Sequence, residues 1–137
     1  MQTEHEIQLH KELEIIEETR DQYIRTERWL NRLEDDVLWQ NRRCKELNDE
    51  LFERYSQDKK LQQILARGEE LLQRQILAEN SFFQEGRENL HKMKKKAEQQ
   101  MDDYRQEIQR IQKENTKEGE RNENNDYDYH AAECQKL

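Results

Sequence analysis

Every seventh residue from position 9 to position 51 is apolar or weakly polar: Leu9, Ile16, Tyr23, Leu30, Val37, Cys44 and Leu51. An unbroken run of heptads of this length reads as one long helix with a seam along it. Leu13, Leu33 and Leu47 widen that seam. The companion position is often polar, with Arg20, Glu27 and Asn41 where a coiled coil favours Leu. A long autonomous two-stranded coil built on this seam alone would therefore be marginal. A second stripe, Ile24, Leu38 and Phe52 at intervals of fourteen, lies about 100° around the same helix. Ile15, Trp29 and Trp39 add apolar bulk off the main seam, so the helix is expected to touch more than one neighbour.

The second half repeats the pattern. Ile76, Phe83, Leu90, Ala97, Tyr104 and Ile111 recur every seven residues, flanked by Leu65, Leu72, Met93, Met101 and Ile108. The chain has no Pro and 3 Gly, so little interrupts either helix. Gly68 and Gly86 weaken the second helix by roughly 1 kcal/mol each relative to Ala, and they permit close helix approach. Both registers lapse over Arg54-Tyr55-Ser56-Gln57-Asp58-Lys59-Lys60, where Ser56 and Asp58 are good N-cap residues. The spacing predicts an all-α fold: an antiparallel, coiled-coil-like helical hairpin. Helix 1 runs over about 4–55, a tight turn sits at about 55–58, and helix 2 runs over about 59–116. One continuous helix with an irregularity here is the alternative. After Thr116 the pattern stops, and residues 117–137 read as a disordered acidic tail containing the aromatic stretch Tyr127-Asp128-Tyr129.

Charged residues make up 41% of the chain and the hydrophobic set 31%, too little for a thick globular core but enough for a thin seam. The net charge of −8 argues against general phosphate binding. Residues 1–58 carry −7, residues 59–116 carry +2 and residues 117–137 carry −3, which suits pairing of an acidic first arm with a slightly basic second. The two cysteines, Cys44 and Cys134, make no disulfide framework, and Cys44 reads as a small buried hydrophobe in the seam. No membrane span and no signal peptide are legible, so a cytoplasmic protein is expected, exported only by a route without a cleavable signal.

No nucleophile–base set, P-loop or dinucleotide fingerprint is present, and the chain reads as a non-enzyme without cofactor. His5 and His10 fall on different sides of a helix turn. His130 and Cys134 lie four apart, but two ligands fall short of a zinc site, so no metal is expected. The run Lys92-Met93-Lys94-Lys95-Lys96 admits a nucleic-acid reading. Nothing aromatic interleaves with these lysines, which favours a solvated face opposite the acidic first arm and no nucleic acid. Two Trp in so hydrophilic a helix are anchors, either of the hairpin core or of an interface.

At the turn, Leu51-Phe52 followed by Tyr55-Ser56-Gln57-Asp58 resembles the Trp-x-Gly turn of small WXG-type helical hairpins, with Tyr55 in place of Trp and Gln57 in place of Gly. The run from Leu61 to Ile111, with Glu69, Arg87, Leu90 and Lys94, is similar to the small helical proteins encoded beside LXG toxins in Gram-positive bacteria. The resemblance covers roughly residues 10–115. It implies a targeting or chaperone-like partner that binds the helical LXG domain of a toxin, with a second small helical protein as a further partner, and helps export by type VII secretion. The family's Tyr-x-x-x-Asp/Glu export signal matches Tyr129 to Glu133, and also Tyr23 to Glu27 within the seam. The partner-binding residues expected on this reading are Trp29, Leu38, Trp39, Phe52, Tyr55 and Asp58, with Tyr129 and Glu133 as the export signal. A homomeric coiled-coil scaffold is the alternative function.

Overall fold

A computed structural model describes the backbone of residues 3–136 and the side chains of residues 3–119. Two helices, α1 (Glu4–Arg54) and α2 (Lys59–Lys136), make up the fold, and they pack antiparallel as a helical hairpin. Thr3 starts α1: its hydroxyl accepts from the Glu6 amide at 3.2 Å, capping an otherwise unpaired donor of the first turn. The connection is Tyr55 to Asp58. The Asp58 carboxylate accepts from the Leu61 amide at 3.1 Å, so Asp58 is the N-cap of α2. Gln62 reaches back from α2 and donates to the carbonyls of Phe52 at 2.9 Å and Tyr55 at 2.8 Å. The last carbonyls of α1 are thus satisfied by a side chain, and the turn needs neither Gly nor a positive φ.

α2 continues as helix past Thr116 to Lys136. The side chains beyond Gly119, those of Tyr129 and Glu133 among them, lie outside the described residues.

The helix pair forms two compact units, one of Met1–Arg20 with Lys96–Leu137 and one of Asp21–Lys95 that contains the turn. In the first, Leu9, Ile108 and Ile111 form a buried cluster against which Leu13 and Tyr104 pack. Glu6 is buried beside them, 3% exposed, and accepts from Asn115 Nδ2 at 2.7 Å. Arg105 donates to Glu17 at 3.4 Å. In the second unit Leu30, Leu65 and Phe83 are the buried anchors. The polar companion positions of α1 are paired across to α2. Asn41 donates to Glu79 at 2.8 Å, and Asn48 donates to the Leu65 carbonyl at 3.5 Å. Glu34 meets Arg87 at 2.6 Å, and Glu27 meets Lys94 at 3.7 Å.

Four seam assignments differ from the sequence reading: Cys44, Leu47, Leu51 and Met93 are exposed, Leu47 and Leu51 at 47% and 40%. Cys44 is exposed rather than buried. Across from it α2 offers Gly68, whose missing side chain leaves an open cleft of about 330 Å³ lined by Cys44, Asn48, Leu71, Leu72 and Gln75. Met93 is also exposed, and Lys94 takes the partly buried place beside it. On α2 the companions of the main stripe run Leu65, Leu72, Glu79, Gly86 and then continue one residue later as Arg87, Lys94, Met101, Ile108, Asn115. A straight helix drifts about 20° per heptad against a strict seven-residue repeat, and the one-residue step absorbs that drift.

Candidate docking surface

The two units differ sharply in how they treat apolar side chains. Among the described residues, the Met1–Arg20/Lys96–Leu137 unit buries Leu9, Ala97, Met101, Ile108 and Ile111 and leaves only Ile7 and Ile15 exposed among its large hydrophobics. The Asp21–Lys95 unit buries three and exposes twelve: Trp29, Leu38, Trp39, Leu47, Leu51, Phe52, Tyr55, Ile64, Leu71, Leu77, Phe82 and Met93. Scattered exposed Leu residues are ordinary, but twelve large apolar side chains on 75 residues, two of them Trp, make this unit the candidate contact surface.

The exposed residues are not spread evenly around the Asp21–Lys95 unit. One flank of its seam is bridged by polar groups: Arg87 donates to Asn31 at 3.2 Å and to Glu34, and Lys94 faces Glu27. At about 100° per residue the opposite flank of α1 carries Trp29, Leu33, Asp36, Gln40, Arg43 and Leu47. The same flank of α2 carries Leu61, Ile64, Gly68, Leu71, Gln75, Ala78 and Phe82. The cleft at Cys44, Gly68 and Leu71 opens on this flank, with nothing within 4 Å of a Cβ built on Gly68. Phe82 lies edge-on to the buried Phe83, ring centroids 5.4 Å apart, which holds its position on the surface.

The residues singled out from the sequence fall on three faces. Trp29, 54% exposed, belongs to the open flank. Leu38 and Phe52, fourteen apart, share the bridged flank, and Trp39, 65% exposed, points away from α2. The structure therefore puts both Trp outside the hairpin core, and it does not gather the four into one stripe. Leu38 and Trp39 are successive residues of α1, and Asp35, Arg42, Lys45 and Asp49 surround them in the helical projection. An aromatic anchor with a charged rim is the usual make-up of a protein-binding hot spot. Tyr55 is exposed at the turn, while Asp58 is committed to the cap of α2. Ile64, Leu71 and Phe82 escaped the sequence reading, and Leu47 was read as seam, because a stripe at heptad spacing does not tell which of its flanks finds a neighbour.

Among the described residues no three His, Cys, Asp or Glu side chains gather as a metal-binding group, and no helix is long and apolar enough to cross a membrane. Arg110 holds Glu107 below the usual carboxylate range, and the Glu12 carboxylate raises the Tyr104 phenol by accepting its hydrogen bond. Comparison of the chain with protein-family models, with curated proteins and with solved structures finds no match.

Proposed function

We propose that the protein is a non-enzymatic adaptor that works by laying the bridged flank and the adjoining outer face of α1, in its Asp21–Lys95 unit, against a helical partner protein. The carrying observation is the exposure of Leu38, Trp39 and Phe52 on a helix whose own seam is already occupied. A helical groove or helix pair in the partner suits anchors at such spacing, and burial at about 25 cal/mol per Å² supplies the drive before association costs. The resemblance at the turn and along α2 points to the helical domain of an LXG-type toxin as that partner and to targeting for type VII secretion as the outcome. The Tyr129-to-Glu133 segment then serves as the signal the secretion machine reads.

Capture of tagged full-length protein from its host, with mass spectrometry of the co-eluting chains, tests this. An LXG-type toxin with a helical domain recovered in equal amount, and lost on Leu38→Ala with Trp39→Ala while circular dichroism stays helical, supports the reading. Recovery of the chain alone, or capture indifferent to those substitutions, overturns it.

A further inference from the structure

We infer that the open flank of the Asp21–Lys95 unit receives a second copy of this chain. The two α1 helices cross that interface antiparallel, about a two-fold axis beside Gln40. The inference rests on reading this unit as a docking segment, but it needs no other partner.

The α1 flank is self-complementary. Its residues run Trp29, Leu33, Asp36, Gln40, Arg43, Leu47 and, one turn on, Leu51. Laid antiparallel on itself about Gln40, the row places Trp29 opposite Leu51, Leu33 opposite Leu47, Asp36 opposite Arg43, and Gln40 opposite itself. Apolar meets apolar at both ends and acid meets base on either side of an amide pair that both donates and accepts. No residue of the row meets its own charge, so like-charge repulsion does not oppose the pairing. A parallel arrangement about an axis along the helices would instead bring this row against α2.

The α2 half of the flank fits the same axis. Asn41 bonds Glu79 at 2.8 Å, which puts the middle of the α1 row beside the stretch of α2 that carries Gln75, Ala78 and Phe82. Ala78 is a small residue in that stretch and lets the two α2 helices approach closely. The face is about 40 Å long at 1.5 Å per residue and two helix widths, about 20 Å, across. Roughly 800 Å² per copy is the size of a standard stable interface. Trp29, Leu47, Ile64, Leu71, Phe82 and Met93 leave solvent together in this arrangement. The α1 face carrying Leu38, Trp39 and Phe52 remains open for another protein.

Sedimentation equilibrium of the full chain over about 1–100 µM, a range bracketing micromolar affinity, is the test. A particle of twice 17.0 kDa is expected for the wild type. Arg43→Glu sets acid against acid at Asp36 of the other copy, and it is expected to sediment as a single chain with unchanged helicity. Adding Asp36→Arg restores the opposed charges and is expected to restore the dimer, which a merely misfolded chain would not do. With Cys44 and Cys134 replaced by Ser, Gln40→Cys is expected to oxidise to a covalent dimer and Arg32→Cys, on the outer face, is not. A wild type that stays a single chain, a dimer that survives Arg43→Glu, or a charge swap without rescue overturns the inference. Those outcomes leave partner capture through Trp39 untouched, just as failed capture leaves the sedimentation result standing.

Discussion

Gly68 and Gly86 lie in one helix, and the structure predicts opposite responses to the same substitution. Ala in place of Gly inside a helix gains roughly 1 kcal/mol from reduced backbone entropy in the unfolded chain. A Cβ on Gly68 meets nothing within 4 Å, so the whole gain is realised. A Cβ on Gly86 stands 3.2 Å from Leu30 Cδ2 and 3.9 Å from Cδ1. Leu30 is 4% exposed and has no room to retreat without disturbing its seam neighbours. Overpacking of this kind costs about 1–3 kcal/mol, which cancels the propensity gain or exceeds it. Gly68→Ala is expected to raise Tm by about 4 °C, and Gly86→Ala is expected to leave it unchanged or lower it by up to about 8 °C. Both are made in the Arg43→Glu chain, so that the flank beside Gly68 stays uncovered, and both are followed by far-ultraviolet circular dichroism at matched concentration. Equal stabilisation by the two would refute the close approach of α1 to Gly86. A loss of stability at Gly68 would refute the open cleft beside Cys44.

Asp58→Ala removes the N-cap of α2 and is expected to cost about 1 kcal/mol in urea unfolding, with Asp58→Asn recovering most of it. Asn115→Ala leaves the buried Glu6 carboxylate without its partner and is expected to cost about 1–3 kcal/mol, whereas a change at the exposed Gln112 is expected to cost nothing measurable. Tyr104→Phe probes the bond to Glu12. Because that bond raises the folded-state phenol, its contribution is full at neutral pH and disappears as pH climbs through the raised value. The difference in urea midpoint between wild type and Tyr104→Phe should therefore be present at pH 7 and close at strongly alkaline pH.

The hairpin was legible because its signals agree. Seven heptads on α1 and six on α2 give two seams, and between them the N-cap Asp58 falls where both registers lapse. The position of Trp29 and Trp39 off the seam was legible too, since their spacing from Leu30 and Val37 excludes the stripe. Other features arise from partners far apart in the chain. Glu6 and Asn115 are 109 residues apart, and nothing local to either announces the pair. Gln62 caps the wrong helix for its own position, a reach that only the closed turn makes available. Cys44 keeps strict register yet stays exposed, because burial depends on what stands opposite, and opposite it stands a glycine.

The polar seam explains why one unit closes on itself and the other does not. In the Asp21–Lys95 unit α1 presents Glu27, Glu34, Asn41 and Asn48 to its partner helix, and each is matched by a specific group on α2. Half-exposed ion pairs such as Arg87–Glu34 contribute under about 1 kcal/mol, so their work is to fix register rather than to hold the helices together. Each polar layer also takes a place that an apolar side chain would have buried. The Met1–Arg20/Lys96–Leu137 unit fills more of these layers with Leu13, Met101 and Ile108, and it leaves few large hydrophobics outside. Where the seam is spent on register, the apolar residues of the same helices are displaced to the flanks, and only a further chain can take them out of water. The residues that specify the hairpin thereby leave it incomplete, and that incompleteness is what the proposed adaptor role requires: a fixed frame with apolar side chains turned outward.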